Sequence, residues 1–228
     1  MAKISLREYN REIQELISHG HNDEAIAHCK YILKLFPKHI DTYRLLGQAY
    51  LESQRYSEAT DILRRTLSVI PEDFISQVGM SVIREDEGNL DAAIWHMERA
   101  FEVQPSNATI QDELRRLYGR RDGVEPPKMR LTRGALVRMY ARGELYPQAI
   151  AEIRSALTED APRPDLEVLL ARMHYLLGQV SDSVKISKRI LEKLPYCYEP
   201  IRILAELLPE TREAELAKSS KDKLNALD

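Results

Sequence analysis

Three prolines, Pro37, Pro71 and Pro105, stand 34 residues apart, and three alanines, Ala25, Ala59 and Ala93, keep the same interval. Gly20 and Gly88 are separated by twice that distance. A fixed period of this size means stacked units, none of which can bury its apolar side alone. The residue types say what a unit is. Proline lacks an N–H and clashes with the turn before it, so each proline ends a helix. Glycine supplies the left-handed backbone of a tight helix–helix turn. Alanine in the first turn of the second helix lets the two helices approach. Each unit reads as helix, short turn, helix, proline.

The second unit carries the fullest pattern: Tyr43-x-x-Leu46-Gly47-x-x-Tyr50, then Ala59-x-x-x-Leu63, then Pro71. It resembles the tetratricopeptide repeat almost position for position. The first unit matches through Tyr9, Ile13, Leu16, Ala25, Cys29 and Pro37, and the third through Met80, Ser81, Ala93, Met97, Ala100 and Pro105. The resemblance implies an all-α, right-handed superhelical solenoid of antiparallel helix pairs. It also implies a scaffold that holds a peptide or a segment of a partner protein in a concave groove. As a statement of fold the resemblance is specific; as a statement of function it is not.

The interval fails after Pro105. Leu136-Val137-x-x-Tyr140 with Ala149-x-x-x-Ile153 opens a new unit, Ser183 follows Ala149 by 34 residues, and Pro195 closes the next. The unit between them has kept a first helix, from Asn107 to Tyr118, and lost its second. The glycines and prolines of residues 119–129 read as a linker. Two arrangements stay open. One has an N-terminal module, 1–118, of three repeats and a capping helix, joined to a C-terminal module, 130–228, of two repeats, part of a third and a polar helix from Glu210 onward. The other is one continuous superhelix with a bulge. The C-terminus carries no glycine or proline cap, which suits a longer native chain.

Composition narrows the function classes. Lys plus Arg total 33 against 36 Asp plus Glu, a net charge of -3, with no global pull toward nucleic acid or anionic lipid. The N-terminus turns charged at once and reads as no signal peptide, and no apolar run approaches the roughly 20 residues of a bilayer span. Two unclustered cysteines, Cys29 and Cys197, fit a reducing compartment. A cytoplasmic location is expected by default. No phosphate loop, nucleophile elbow or metal motif is present, so neither an enzyme nor a cofactor is expected. His19 and His21 read as turn residues, Cys29 as buried and inert, and Trp95 and Tyr196-Cys197-Tyr198 as packing groups.

In this architecture first helices line the groove. The family frame places Arg7, Asn10, Arg11 and Gln14 there in the first repeat, and Asp41, Arg44, Leu45, Gln48 and Glu52 in the second. The third contributes Ile75, Val78, Gly79 and Val82, then Glu85 and Asp86. Some relatives grip a C-terminal carboxylate with a lysine–asparagine clamp. Here Asn10, Gln14, Leu45, Ile75 and Gly79 stand in its place, so that mode is not expected, and an aliphatic anchor suits the floor better. In the second half Arg116, Arg138 and Arg172 share one repeat position, with Arg142, Arg202 and Tyr175 beside them. That ladder suits an acidic peptide, or is an ordinary set of ion pairs on a solvated face. The alternative to a free-standing scaffold is an accessory segment of a larger enzyme or transcription regulator. A nucleic-acid role through Arg120 and Arg121 ranks last, because no aromatics interleave with the basic residues. Homo-oligomerisation stays open.

Overall fold

The computed structural model describes residues 5–159, 162–209 and 213–227. Among them are thirteen α-helices and no strand. Three pairs open the chain: α1 (Leu6–Ser18) with α2 (Asn22–Leu35), α3 (Ile40–Glu52) with α4 (Tyr56–Val69), and α5 (Phe74–Asp86) with α6 (Leu90–Val103). A single helix follows, α7 (Ala108–Asp122). Three more pairs complete it: α8 (Arg133–Arg142) with α9 (Tyr146–Glu159), α10 (Pro164–Leu176) with α11 (Val180–Lys193), and α12 (Tyr198–Leu207) with α13 (Ala214–Leu227). The chain is a helical solenoid.

The period is written in hydrogen bonds as well as in prolines. Ser5, His39, Asp73 and Asn107, each 34 residues from the next, cap α1, α3, α5 and α7 by accepting the backbone N–H of the residue three further on. Behind each later cap a side chain of the first helix reaches back to the proline that ended the previous unit. Tyr43 donates to the Pro37 carbonyl (3.0 Å), Gln77 to that of Pro71 (2.9 Å) and Gln111 to that of Pro105 (2.6 Å). The proline frees its carbonyl from the helix ladder, and the next helix claims it.

The turn inside each of the five pairs from α1/α2 to α10/α11 uses a left-handed residue. Gly20 (φ 79°), Gly88 (φ 76°) and Gly178 (φ 69°) supply it, but Gln54 (φ 56°) and Glu144 (φ 58°) adopt it without being glycine. Both stand at the glycine step of the period, which is why the glycine pattern has gaps there. A side chain in this region costs about 1–2 kcal/mol, partly offset by the extra freedom of glycine in the unfolded chain. Gln54→Gly and Glu144→Gly should therefore each stabilise the protein by about 0.5–1 kcal/mol, read as higher urea midpoints at an unchanged slope.

Why the fourth unit lacks a second helix is visible at position 115. Its equivalents in the period are Gly47, where a Cβ would lie 2.7 Å from Leu63 of α4, and Ser81, which donates to the Ala93 carbonyl of α6 (2.8 Å). These are the points of closest approach within a pair. Arg115 has no room to offer; it donates to the Pro126 carbonyl (2.9 Å) and pairs with Glu125 (3.6 Å), so the following loop lies along α7 instead. The helix also runs one turn further than Tyr118. Residues 119–122, read from sequence as linker, are helical, and α7 ends at the left-handed Gly123.

The second half does not continue outward from α7. Helix α8 returns to pack on α6. The end of the chain then reaches the beginning: Ile201 and Leu227, with Tyr198 and Leu224, share a core with Ile40, Val69 and Ile70. The stack folds back on itself, and the inner surface of its first three units faces α8 and α10.

Candidate binding groove

Two depressions lie on that inner surface. The first, of about 760 Å³, runs over α1, α3 and the start of α5. It gathers Arg7, Asn10, Arg11, Gln14, Arg44, Gln48 and Ile75, seven of the positions expected from sequence, around Leu45 and Leu6. The second, of about 820 Å³, opens between the halves, where Arg138, Arg142 and Arg172 join Arg44 and Ile75. Because Arg44 and Ile75 belong to both, the two form one continuous path.

The polar groups on the path differ in how far they are already satisfied. Arg44 is held by Asp73 (2.6 Å) and Asp41 (2.8 Å). Gln14 donates weakly to Gln48 (3.5 Å), and Asn10 accepts from Thr42 (3.4 Å). Arg7 and Arg11 are exposed, and among the described residues neither has an ion-pair partner. Ile75 is 42% exposed, an aliphatic side chain left uncovered in the floor.

The arginine ladder does not survive as a ladder. Arg138, expected to face a ligand, is only 6% exposed. It lies between Glu72 (3.3 Å) and Asp165 (3.2 Å), because α8 is pressed against the end of α6 rather than exposed on an open wall. Arg116 binds both oxygens of Glu85 (2.7 and 2.6 Å) and also Glu113. Its bonds pull the Glu85 carboxyl below the usual range. Arg202 pairs with Glu199 and Glu206 (both 2.7 Å) and stacks 5.2 Å from the Tyr175 ring, whose hydroxyl donates to Glu206 (2.6 Å). Arg116 and Arg202 spend their donors within the chain, while Arg138 is bonded through Nη2 alone, its Nε and Nη1 buried without a hydrogen-bond partner among the described residues. Arg142 donates to the Val103 carbonyl (2.6 Å), and Arg172, half exposed, has only a long contact to Glu199 (3.7 Å). Val78 and Val82 line neither depression; Val78 packs into the core around Leu114 and Phe101.

Sequence reasoning missed a buried charge cluster beneath the path. Glu102, with no exposed surface, accepts from Arg163 (2.5 Å), Arg99 (3.0 Å) and the Thr132 hydroxyl (3.0 Å). Arg163 in turn grips both oxygens of Asp165 (2.9 Å each). Burial alone would raise the Asp165 carboxyl, but Arg163 and Arg138 outweigh it and hold it at about 2. Its folded value lies below the roughly 3.9 of an unfolded aspartate. The cluster therefore adds stability above about pH 4, lost as the pH falls toward 2. The participants sit on α6, α8 and the start of α10, so no local spacing announces them.

Among the described residues no three His, Cys, Asp or Glu side chains form a metal-binding group, and no helix is long and apolar enough to cross a membrane. Burial pushes the thiols of Cys29 and Cys197 up to about 12, which leaves both unreactive.

Residues 16–76 match the tetratricopeptide repeat family profile. Superkiller protein 3 of Schizosaccharomyces pombe is 26% identical over 97 residues, 42% of this chain and 7% of that protein. Protein bimA of Emericella nidulans is 26% identical over 89 residues, 39% of this chain and 11% of that one. The chain thus spans about a tenth or less of the length of these curated relatives. Among solved structures, a thermophilic tetratricopeptide-repeat protein of Thermus thermophilus is 17% identical, covers 97% of this chain and all of its own, and superposes with a TM-score of 0.45. Naa15/Naa10 bound to HypK-THB matches at 16% identity and a TM-score of 0.43, covering 94% of this chain and 36% of that one. Residues 16–76 thus match the tetratricopeptide repeat, and the 34-residue period and the helix pairs carry the same kind of unit beyond the matched segment.

Proposed function

We propose that the protein is a non-catalytic scaffold that takes a segment of a partner protein along the path from Arg7 and Arg11 to Arg172. The N-terminal module, 1–118, forms one wall and the C-terminal module, 130–228, the other. One observation carries this reading. Most arginines at the expected positions are already bonded within the chain, whereas Arg7 and Arg11 project at the open end with no ion-pair partner among the described residues. A guanidinium pair above an uncovered Ile75 and a row of amides suits an acidic segment with an aliphatic anchor. The buried, unreactive thiols are compatible with a reducing, cytoplasmic setting.

The test is selection of a displayed random dodecapeptide library on the full chain. Enriched peptides should carry acidic residues beside an aliphatic one and weaken with added salt. They should bind at least about tenfold more weakly to the Arg7→Glu/Arg11→Glu variant, a cost of two charge-assisted contacts. Enriched peptides without acidic residues, or indifferent to that double substitution, would rule the groove out. A second reading, an accessory segment of a longer protein, is favoured by the small share of the curated relatives that the chain covers. Sequencing the full transcript decides it.

A further inference from the structure

A separate site lies on the outer seam where the end of the chain meets the beginning. There the turn between α2 and α3, the end of α4 and the last turn of α13 enclose a pocket of about 260 Å³. Its apolar wall is Pro37, Ile40, Val69 and Leu227, and its mouth carries Lys38 and Arg65. The lining, among the described residues, includes no carboxylate. Two of its neutral donors are spent: the Tyr43 hydroxyl donates to the Pro37 carbonyl (3.0 Å) and the Ser68 hydroxyl to that of Arg65 (2.7 Å). Lys38 and Arg65 are exposed and have no ion-pair partner among the described residues.

A third cation adds to them. The Lys38 ammonium lies 4.4 Å from the centre of the Tyr196 ring and donates to its hydroxyl (3.2 Å). The Lys223 ammonium, from α13, lies 5.6 Å from the same ring. It donates to a neutral acceptor, the Pro195 carbonyl (3.3 Å). Two ammonium groups from opposite halves of the chain thus converge on one ring, and neither has a counter-ion among the described residues. Like charges held together repel, and an anion at the mouth of the pocket would turn that repulsion into attraction.

We propose that this seam binds an aliphatic carboxylate, with its tail against Ile40, Val69 and Leu227 and its head on Lys38 and Arg65. The cavity is smaller than the roughly 300–1,000 Å³ of sites that hold drug-sized ligands, so the tail is short. One carboxylate accepts from both cations at once. The chemistry has two sources, a short fatty acid or the free carboxyl end of a peptide closing in leucine or valine. Either ligand would touch both halves and stabilise their closure by mass action.

The experiment uses the full chain with octanoate, octanol, acetyl-leucine and acetyl-leucine amide, followed by calorimetry and thermal unfolding. Octanoate or acetyl-leucine should bind and raise Tm, and the neutral counterpart of each should not. The tighter of the two acids names the source. Lys38→Ala/Arg65→Ala should weaken binding by about tenfold or more, Lys38→Arg should retain it, and circular dichroism should show both variants folded. Arg7→Glu/Arg11→Glu should bind the acids as the parent does, which separates this site from the groove. Failure of both acids at millimolar concentration, equal binding of octanol, or loss of binding in the groove variant instead would overturn the assignment.

Discussion

Glu102→Ala should cost about 3–5 kcal/mol of folding stability, the cost of breaking a buried ion pair by removing one partner. Glu102 has no exposed surface, and its carboxylate takes hydrogen bonds from Arg163 and Arg99 while Arg138 stands 3.9 Å away. Without it, three largely buried guanidinium groups share Asp165 as their one remaining fully buried carboxylate among the described residues, with Glu72 and Glu98 at the rim. The loss is measured as a lower urea midpoint. A change below about 1 kcal/mol would mean that the cluster opens to water and contributes little.

Gly134→Ala should cost about 2–3 kcal/mol, from the overpacking that an added methyl group forces. A Cβ at Gly134 would stand 2.1 Å from a Glu102 oxygen, and that carboxylate is pinned from several sides and cannot swing away. Glycine is needed here for space rather than for its backbone angle. The two substitutions should be strongly non-additive. With Glu102 already alanine, the new methyl group meets no carboxylate, so the double variant should lose about 2 kcal/mol less than the sum of the singles. Additive losses would place the strain of Gly134→Ala elsewhere.

The repeating part of the molecule was legible because it is dictated locally. Pro37, Pro71 and Pro105 end helices wherever they occur, and first-helix residues such as Arg7, Asn10, Gln14 and Gln48 share a face by helical geometry alone. That is why the residues of the first two units that line the depression could be named from spacing, whereas Val78 and Val82 of the third line neither depression. Equivalence by period failed where the chain folds back. Arg138 and Arg172 occupy one repeat position, yet one is buried and the other half exposed, because the first is held between Glu72 and Asp165 while the second has only a long contact to Glu199. Glu102 and Arg163 are 61 residues apart, and nothing in the sequence near either names its partner. Gln54 and Glu144 hid the turn signal, since the left-handed backbone there is imposed by the packing of their helices rather than by their own preference.

An open stack of repeats can fray from either end, because each unit leans only on its neighbours. Here Ile201 and Leu227 rest on Ile40 and Val69, so α12 and α13, made well after the second unit, complete a surface which that unit laid down. Until they arrive, that earlier surface stays greasy and open to misassociation. Once they dock, peeling away the tail means wetting the head as well. The molecule gains the all-or-none character of a closed ring, at the cost of a slower search for contacts distant in the chain.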